Sequence, residues 1–131
     1  MYRRENAFNY QRLYVERHRM FVARRSARQA RTLPLVYRSH PFVHDALGEY
    51  GFTRGPDASG LEAIAMLVSS GHYVGLLPQH YADSISRRFA LTRVPGGPVY
   101  ENAISAITEA SRPASAVELF LRLLERFHPA P

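Results

Sequence analysis

The sequence predicts an α/β fold: a mixed, mostly parallel sheet with helices on both faces. Residues 59–78, SGLEAIAMLVSSGHYVGLLP, read as helix, tight glycine turn and buried strand. From residue 19 to 78 the order is strand, strand, helix, strand, helix, strand, the alternation that builds parallel or mixed sheets covered by helices. Gly51 and Gly71 close the two helices, and Pro34 and Pro78 mark strand boundaries. At 131 residues and 46% hydrophobic content, the chain can bury one modest core.

Residues 1–12 show no clean period and open on a basic, aromatic stretch, as a remnant would. In residues 13–24, Leu13, Val15, Met20 and Val22, flanked by Tyr14 and Phe21, predict one or two strands interrupted near Arg17 and His18. Residues 25–33 are small and polar before Pro34, which predicts a loop or short helical turn. Residues 35–37 form a short strand. Ser39 then reads as an N-cap with Pro41 in the first turn of a helix whose buried stripe is Phe42, Val43, Ala46, Leu47 and Tyr50, and Gly51 is its stop.

A brief strand at 52–54 and a Gly55-Pro56-Asp57 turn come next. Ser59 and Glu62 have capping-box spacing. Leu61, Ile64, Ala65 and Val68 recur at helical spacing while Ala63, Met66 and Leu67 fill the other faces, so this helix should be buried or lie at an interface. Gly71 supplies the left-handed stop, and residues 74–77 read as a sheet-core strand closed by Pro78. Beyond it a short helix at 79–84, a strand or extended return at 89–94 and a turn at 95–98 are expected. Residues 99–109 predict a long strand, with Tyr100 and Ile104 on one face and Ala103 and Ile107 on the other. Ser115 and Glu118 form a second capping box, opening a helix whose stripe of Val117, Phe120, Leu121 and Leu124 requires a partner surface.

The charge is lopsided. All 17 basic residues are Arg, ten of them at or before Arg38, and the formal net charge is +6. Such a segment could track phosphates while Tyr2, Phe8, Tyr10 and Tyr14 stack on bases. A compositional use of Arg to solvate the surface is the preferred reading, since no helix-turn-helix or other nucleic-acid motif lies in the segment. Without Cys there are no disulfides, thiolate metal ligands or thiol nucleophiles. No apolar run approaches the ~20 residues of a membrane span, and residues 1–20 lack the apolar core of a secretory signal, so no membrane association is expected and a cytoplasmic setting fits. His40 and His44 have i,i+4 spacing, yet a third ligand is not evident; hydrogen-bonded histidines and no metal are the expectation. No nucleophile elbow, P-loop, dinucleotide fingerprint or EF-hand occurs, so no enzyme chemistry and no cofactor is expected. Binding remains. Arg38, Ser39 and His40 lie at one strand-to-helix junction, Ser59 and Gly60 at another, where free amides and the positive ends of helix dipoles make an anion cradle; Arg38 read as a plain surface residue is the alternative.

The run SGHYVGLLPQHYA at residues 70–82, following an apolar helix, resembles the G-x-G-I-x-x-L-P-x-x-x-A signature of the effector-binding domain of LysR-type transcriptional regulators. It looks most like the subgroup reading S-G-x-Y-x-G-x-L-P-x-H-Y-A, and the match extends in order through residues 13–24, 34–51 and 99–127. The resemblance implies a periplasmic-binding-protein type 2-like lobe with an incomplete second lobe. Residues 1–15 would be an N-terminal remnant and crossing strand, 16–94 lobe two, and 95–131 the hinge return strand and C-terminal helix of lobe one. It also implies a small-molecule effector, often a carboxylate, held between lobes, a homo-oligomer, and DNA contact only through a winged helix-turn-helix that this sequence does not contain. Two rival classes are an Arg-rich nucleic-acid-binding module and a non-regulatory solute-binding or enzymatic relative of the same architecture. If the kinship is real, Gly71 must turn the chain between a packed helix and an interior strand.

Overall fold

The computed structural model describes residues 8–109 and 114–127. One compact unit spans Arg17–Tyr100; the described residues on either side of it form another.

The first unit is built on strand β1, Phe8–Ala23, whose second half pairs antiparallel with β4, Gly75–Pro78, and with β5, Leu91–Arg93. The register sets Arg19 opposite Leu77, and Phe21 opposite both Gly75 and Arg93. Strands β2, Leu35–Tyr37, and β3, Arg54–Asp57, form a separate parallel pair. A bridge joins the two sheets: Val36 donates to the Val74 carbonyl at 2.8 Å, and Val74 to that of Pro34 at 3.0 Å. Residues 20–23 are buried throughout because both faces are covered. Met20 and Val22 enter one core with Leu35, Val43, Ala46 and Val74, while Phe21 enters another with Ile64, Ala65, Val68 and Leu77.

The predicted interruption at Arg17 and His18 is absent; β1 is one strand of 16 residues. Exposed Arg17 and half-buried His18 sit on opposite sides of the pleat, so both side chains are tolerated without a break. Residues Arg24–Thr32 form a 3₁₀ helix. It is stitched to the Gly71 turn by Ser26 Oγ, which donates to the Gly71 carbonyl at 2.8 Å, and by Arg25 Nη2, which donates to the carbonyls of Ser69 and Ser70.

Helix α1, Pro41–Glu49, is capped by His40 rather than Ser39. Gly51, at φ +70°, stops it as expected, but Tyr50 is 42% exposed and leaves the buried stripe. Strand β3 runs through Gly55, Pro56 and Asp57, where a turn was expected, and begins after residues 52 and 53. A Cβ on Gly55 would come within 2.8 Å of the Leu35 carbonyl oxygen, so glycine allows the close approach, and Pro56 is tolerated because β2 is the only strand paired with β3 among the described residues. Helix α2, Leu61–Ser69, starts from Gly60. Ile64, Ala65 and Val68 are buried, whereas Met66 is 57% exposed. Gly71, at φ +87°, then turns the chain from this helix into β4, whose residues are all buried, as the family resemblance requires. Helix α3, Gln79–Phe89, is longer than expected and ends on left-handed Ala90 at φ +48°, a stop without a glycine to announce it.

Strand β6, Val99–Glu109, pairs with β1 and enters the second unit from residue 101, and α4 in that unit spans Ser115–Phe127. Along β6, Tyr100 and Ile104 are half-buried while Ala103 and Ile107 are exposed, the two faces the alternation predicts. The Ala114 carbonyl accepts from the amides of Val117 and Glu118, so the helix is capped at Ala114, one residue before the expected cap, and Ser115 is already helical. Gln11 on β1 donates its Nε2 to Glu125 on α4. Leu121 and Leu124 are half-buried, but Phe120 is 59% exposed and Val117 is exposed beside it, so the described residues cover only half of the stripe.

Candidate effector site

Parallel pairing of β2 and β3 sets their carboxyl ends, Tyr37 and Asp57, side by side. Each strand passes to its helix through three residues: Arg38-Ser39-His40 into α1, and Ala58-Ser59-Gly60 into α2. All five predicted site residues lie in these two connections. The Tyr37 carbonyl accepts from the Ala58 amide at 2.9 Å and ties one connection to the other strand's end.

The structure brings Arg38, Ser39 and Ser59 together around an open cleft of about 540 Å³, completed by Tyr37, Asp57 and Ala58. His40 and Gly60 do not line it. Gly60 is the N-cap of α2, with extended backbone, and its carbonyl accepts from Ile64 at 3.0 Å. No side chain caps this helix: Ser59 stands one residue too early, so the expected Ser59–Glu62 capping box does not form. The α2 N-terminus therefore keeps its dipole uncompensated by a capping oxygen, with Glu62 in the first turn as the opposing charge.

His40 faces inward. Its Nδ1 accepts from the Phe42 amide at 3.2 Å, which requires a neutral ring protonated on Nε2. Burial first, and then the Arg38 charge, lower its pKa below 6.5 and favour that neutral form. The ring lies 4.8 Å from Phe42 and stacks 6.2 Å from His18, which reaches the cluster from β1. Arg38, His18 and His40 help enclose a small interior cavity of about 20 Å³, enough for one water. Arg38 thus touches both spaces.

The electrostatics favour an anion. Asp57, the carboxylate on the rim, is paired with Arg54 at 3.2 Å, and that guanidinium lies 3.6 Å over the Tyr37 ring. Arg38 has no carboxylate partner among the described residues. Two serine hydroxyls and one uncommitted guanidinium at two helix starts can hold a carboxylate or phosphate; they include no nucleophile with a base beside it. The metal spacing of His40 and His44 is not realised, since His44 sits edge-on to Tyr37 at 5.7 Å instead. Among the described residues, no three His, Cys, Asp or Glu could hold one ion.

Tyr37, Asp57 and Ala58 were not foreseen as lining residues, although their position just before the predicted junctions was a usable signal. His18 had none, because only strand pairing brings it here. Of the Arg-rich first third, Arg25 and Arg31 are committed to backbone carbonyls, those of Ser69 and Ser70 and of Pro95 and Gly96, which is a structural role.

A polar cleft beyond the carboxyl ends of parallel strands is where open α/β lobes place their ligands. The chain belongs to the LysR substrate binding domain family, whose model matches residues 2–128. It shares the periplasmic-binding-protein type 2-like fold of solved regulatory domains. That of CcmR from Synechocystis PCC6803, in complex with 2-PG, superposes with a TM-score of 0.73 at 17% identity, covering 100% of this chain and 73% of that one. CrgA from Neisseria meningitidis gives 0.72 at 13% identity over 98% of this chain and 72% of that one. Bromide-bound HypT from Salmonella typhimurium gives 0.70 at 17% over 95% and 66%. No curated protein sequence matches the chain. Among the described residues no helix is long and apolar enough to cross a membrane.

Proposed function

We propose that this chain is the effector-sensing part of a LysR-type transcriptional regulator, cytoplasmic and without catalytic activity, and that a small carboxylate-class anion binds at the two junctions. One observation carries the reading: both three-residue connections converge on a single cleft in which Arg38 is the cation without a carboxylate partner. Arg38 supplies charge, Ser39 and Ser59 donate hydroxyls, and Gly60 leaves the α2 amides open. His40 acts indirectly, by holding α1 beside Arg38. The bromide ion bound in the related HypT structure supports the charge preference.

Residues 16–94 serve as lobe two, and 95–131 as the return strand and terminal helix of lobe one; the compact unit Arg17–Tyr100 supports this division. Contact with DNA belongs to a separate winged helix-turn-helix. The exposed stripe on α4 supports assembly with a second copy, which light scattering would register as a mass above that of one chain.

Thermal shift and calorimetry against a panel of aromatic and aliphatic carboxylates test the site. A charge-assisted contact contributes about 1.5–3 kcal/mol, so Arg38→Ala should weaken a hit roughly tenfold to a hundredfold. Unchanged affinity in that variant, or no response to any member of the panel, removes the assignment.

A further inference from the structure

We propose that this chain holds a second anion site, selective for a phosphate group, between β1 and the loop following β5, with Arg19 and Arg93 as its cations. Phe21 pairs with Arg93, and Arg19 lies two residues before Phe21 on β1, so both guanidiniums leave the same face of the sheet as diagonal neighbours. Like charges so placed repel each other. Neither has an ion pair or hydrogen bond among the described residues, and Arg19 Nε is a buried donor without a partner. Buried donors are ordinarily satisfied, so one left open beside a second guanidinium marks a place where an acceptor belongs.

The space is there. Arg19, Arg93 and residues 94–99 line a cleft of about 190 Å³, the share of roughly six waters, and no acidic residue lines it. Its far wall is fixed rather than loose. Arg31 Nη2 donates to the carbonyls of Pro95 and Gly96, Gly96 holds φ +67°, and Gly97 donates to Val94 at 3.1 Å. A Cβ on Gly97 would meet the Val94 carbonyl at 3.0 Å, so glycine keeps this turn tight. Arg31 brings a third positive charge to the rim. Two planar forks lining an acid-free cleft of this size suit the several acceptors of a tetrahedral oxyanion, as in inorganic phosphate or a phosphate monoester. The cleft shares no lining residue with the effector cleft, so the two sites can be tested separately.

The test is an NMR titration of the full 131-residue chain with inorganic phosphate at constant ionic strength, chloride making up the balance, read at the Gly96 and Gly97 amides. Saturable shifts are expected with phosphate and not with chloride. They should persist in Arg38→Ala and weaken at least tenfold in Arg93→Gln, a substitution at an exposed position that leaves the fold intact. Arg19→Lys keeps the charge but loses Nε, and should weaken binding several-fold. Glycerol phosphate titrated in parallel identifies the source: tighter binding than inorganic phosphate points to an ester, equal or weaker binding to the free ion. Shifts that are linear in phosphate, equal with chloride, or unchanged in Arg93→Gln overturn the site.

Discussion

Adding a single methyl group at Gly75 tests the tight packing of β4 against α2. A Cβ there would lie 2.7 Å from Val68 Cγ2 and 2.8 Å from Ile64 Cγ2, both on the buried face of α2. Unstrained carbon contacts sit at about 3.5–4.0 Å, so either the helix lifts from β4 or both branched side chains leave their rotamers. Overpacking of this kind costs about 1–3 kcal/mol. Stiffening the unfolded chain returns about 0.4–1 kcal/mol, leaving Gly75→Ala destabilised by about 1–2 kcal/mol. For a unit of this size that is a fall in Tm of about 5–15 °C. Urea titration followed by circular dichroism measures it. Val68→Ala removes one of the clashing methyls, so the double variant should be less destabilised than the sum of the singles by about 1 kcal/mol. A Gly75→Ala protein within 0.5 kcal/mol of the parent, or strict additivity with Val68→Ala, would falsify the argument.

Other outcomes follow from the same contacts. Arg25→Ala strips the cation from the last carbonyls of α2 and should cost about 1 kcal/mol in a urea titration. The fold lowers the pKa of His40, so the unfolded chain takes up the proton first as pH falls: stability is whole above 6.5 and is lost below it, toward the lowered folded value. His40→Asn keeps a capping oxygen without a titrating ring and should flatten urea midpoints between pH 7.5 and 5; an unchanged slope would assign the effect elsewhere. Tyr100 stacks on Phe42 at 4.8 Å with a buried hydroxyl that has no hydrogen-bond partner, so Tyr100→Phe should leave stability unchanged or raise it by up to about 1 kcal/mol. Burial, then Asp45, Tyr50 and Glu49, push this phenol up to about 12. Its stabilising contribution is present below pH 10 and lost as pH rises through about 12, and ultraviolet titration should find a late phenol ionisation that the Phe variant lacks.

The expected caps failed by one residue each, and two of the three, at α1 and α2, for a common reason. His40 replaces Ser39, Gly60 replaces Ser59 and Ala114 replaces Ser115. A serine near a helix start has the right chemistry, but the cap is whichever residue the incoming chain leaves extended, and that is set by where the preceding segment is anchored. For His40 and Gly60 the anchor is the β2–β3 ladder, including the bond from Ala58 to the Tyr37 carbonyl. The same ladder keeps Pro56 and Asp57 in a strand although their local preference is for a turn.

The sequence by itself determined the α/β alternation, the glycine stops at Gly51 and Gly71, the spans of β2 and β6, the existence of α4, and the family through residues 70–82. Periodicity and left-handed glycine are local properties, carried by a few adjacent residues whatever the rest of the chain does. Only the tertiary structure decided that β1 is unbroken, that α3 runs to Phe89, that His18 joins His40, and that Arg38, Ser39 and Ser59 share a cleft. Those outcomes depend on which strands pair and in what register, an energy spread over residues far apart in sequence, and no short window of the chain contains it.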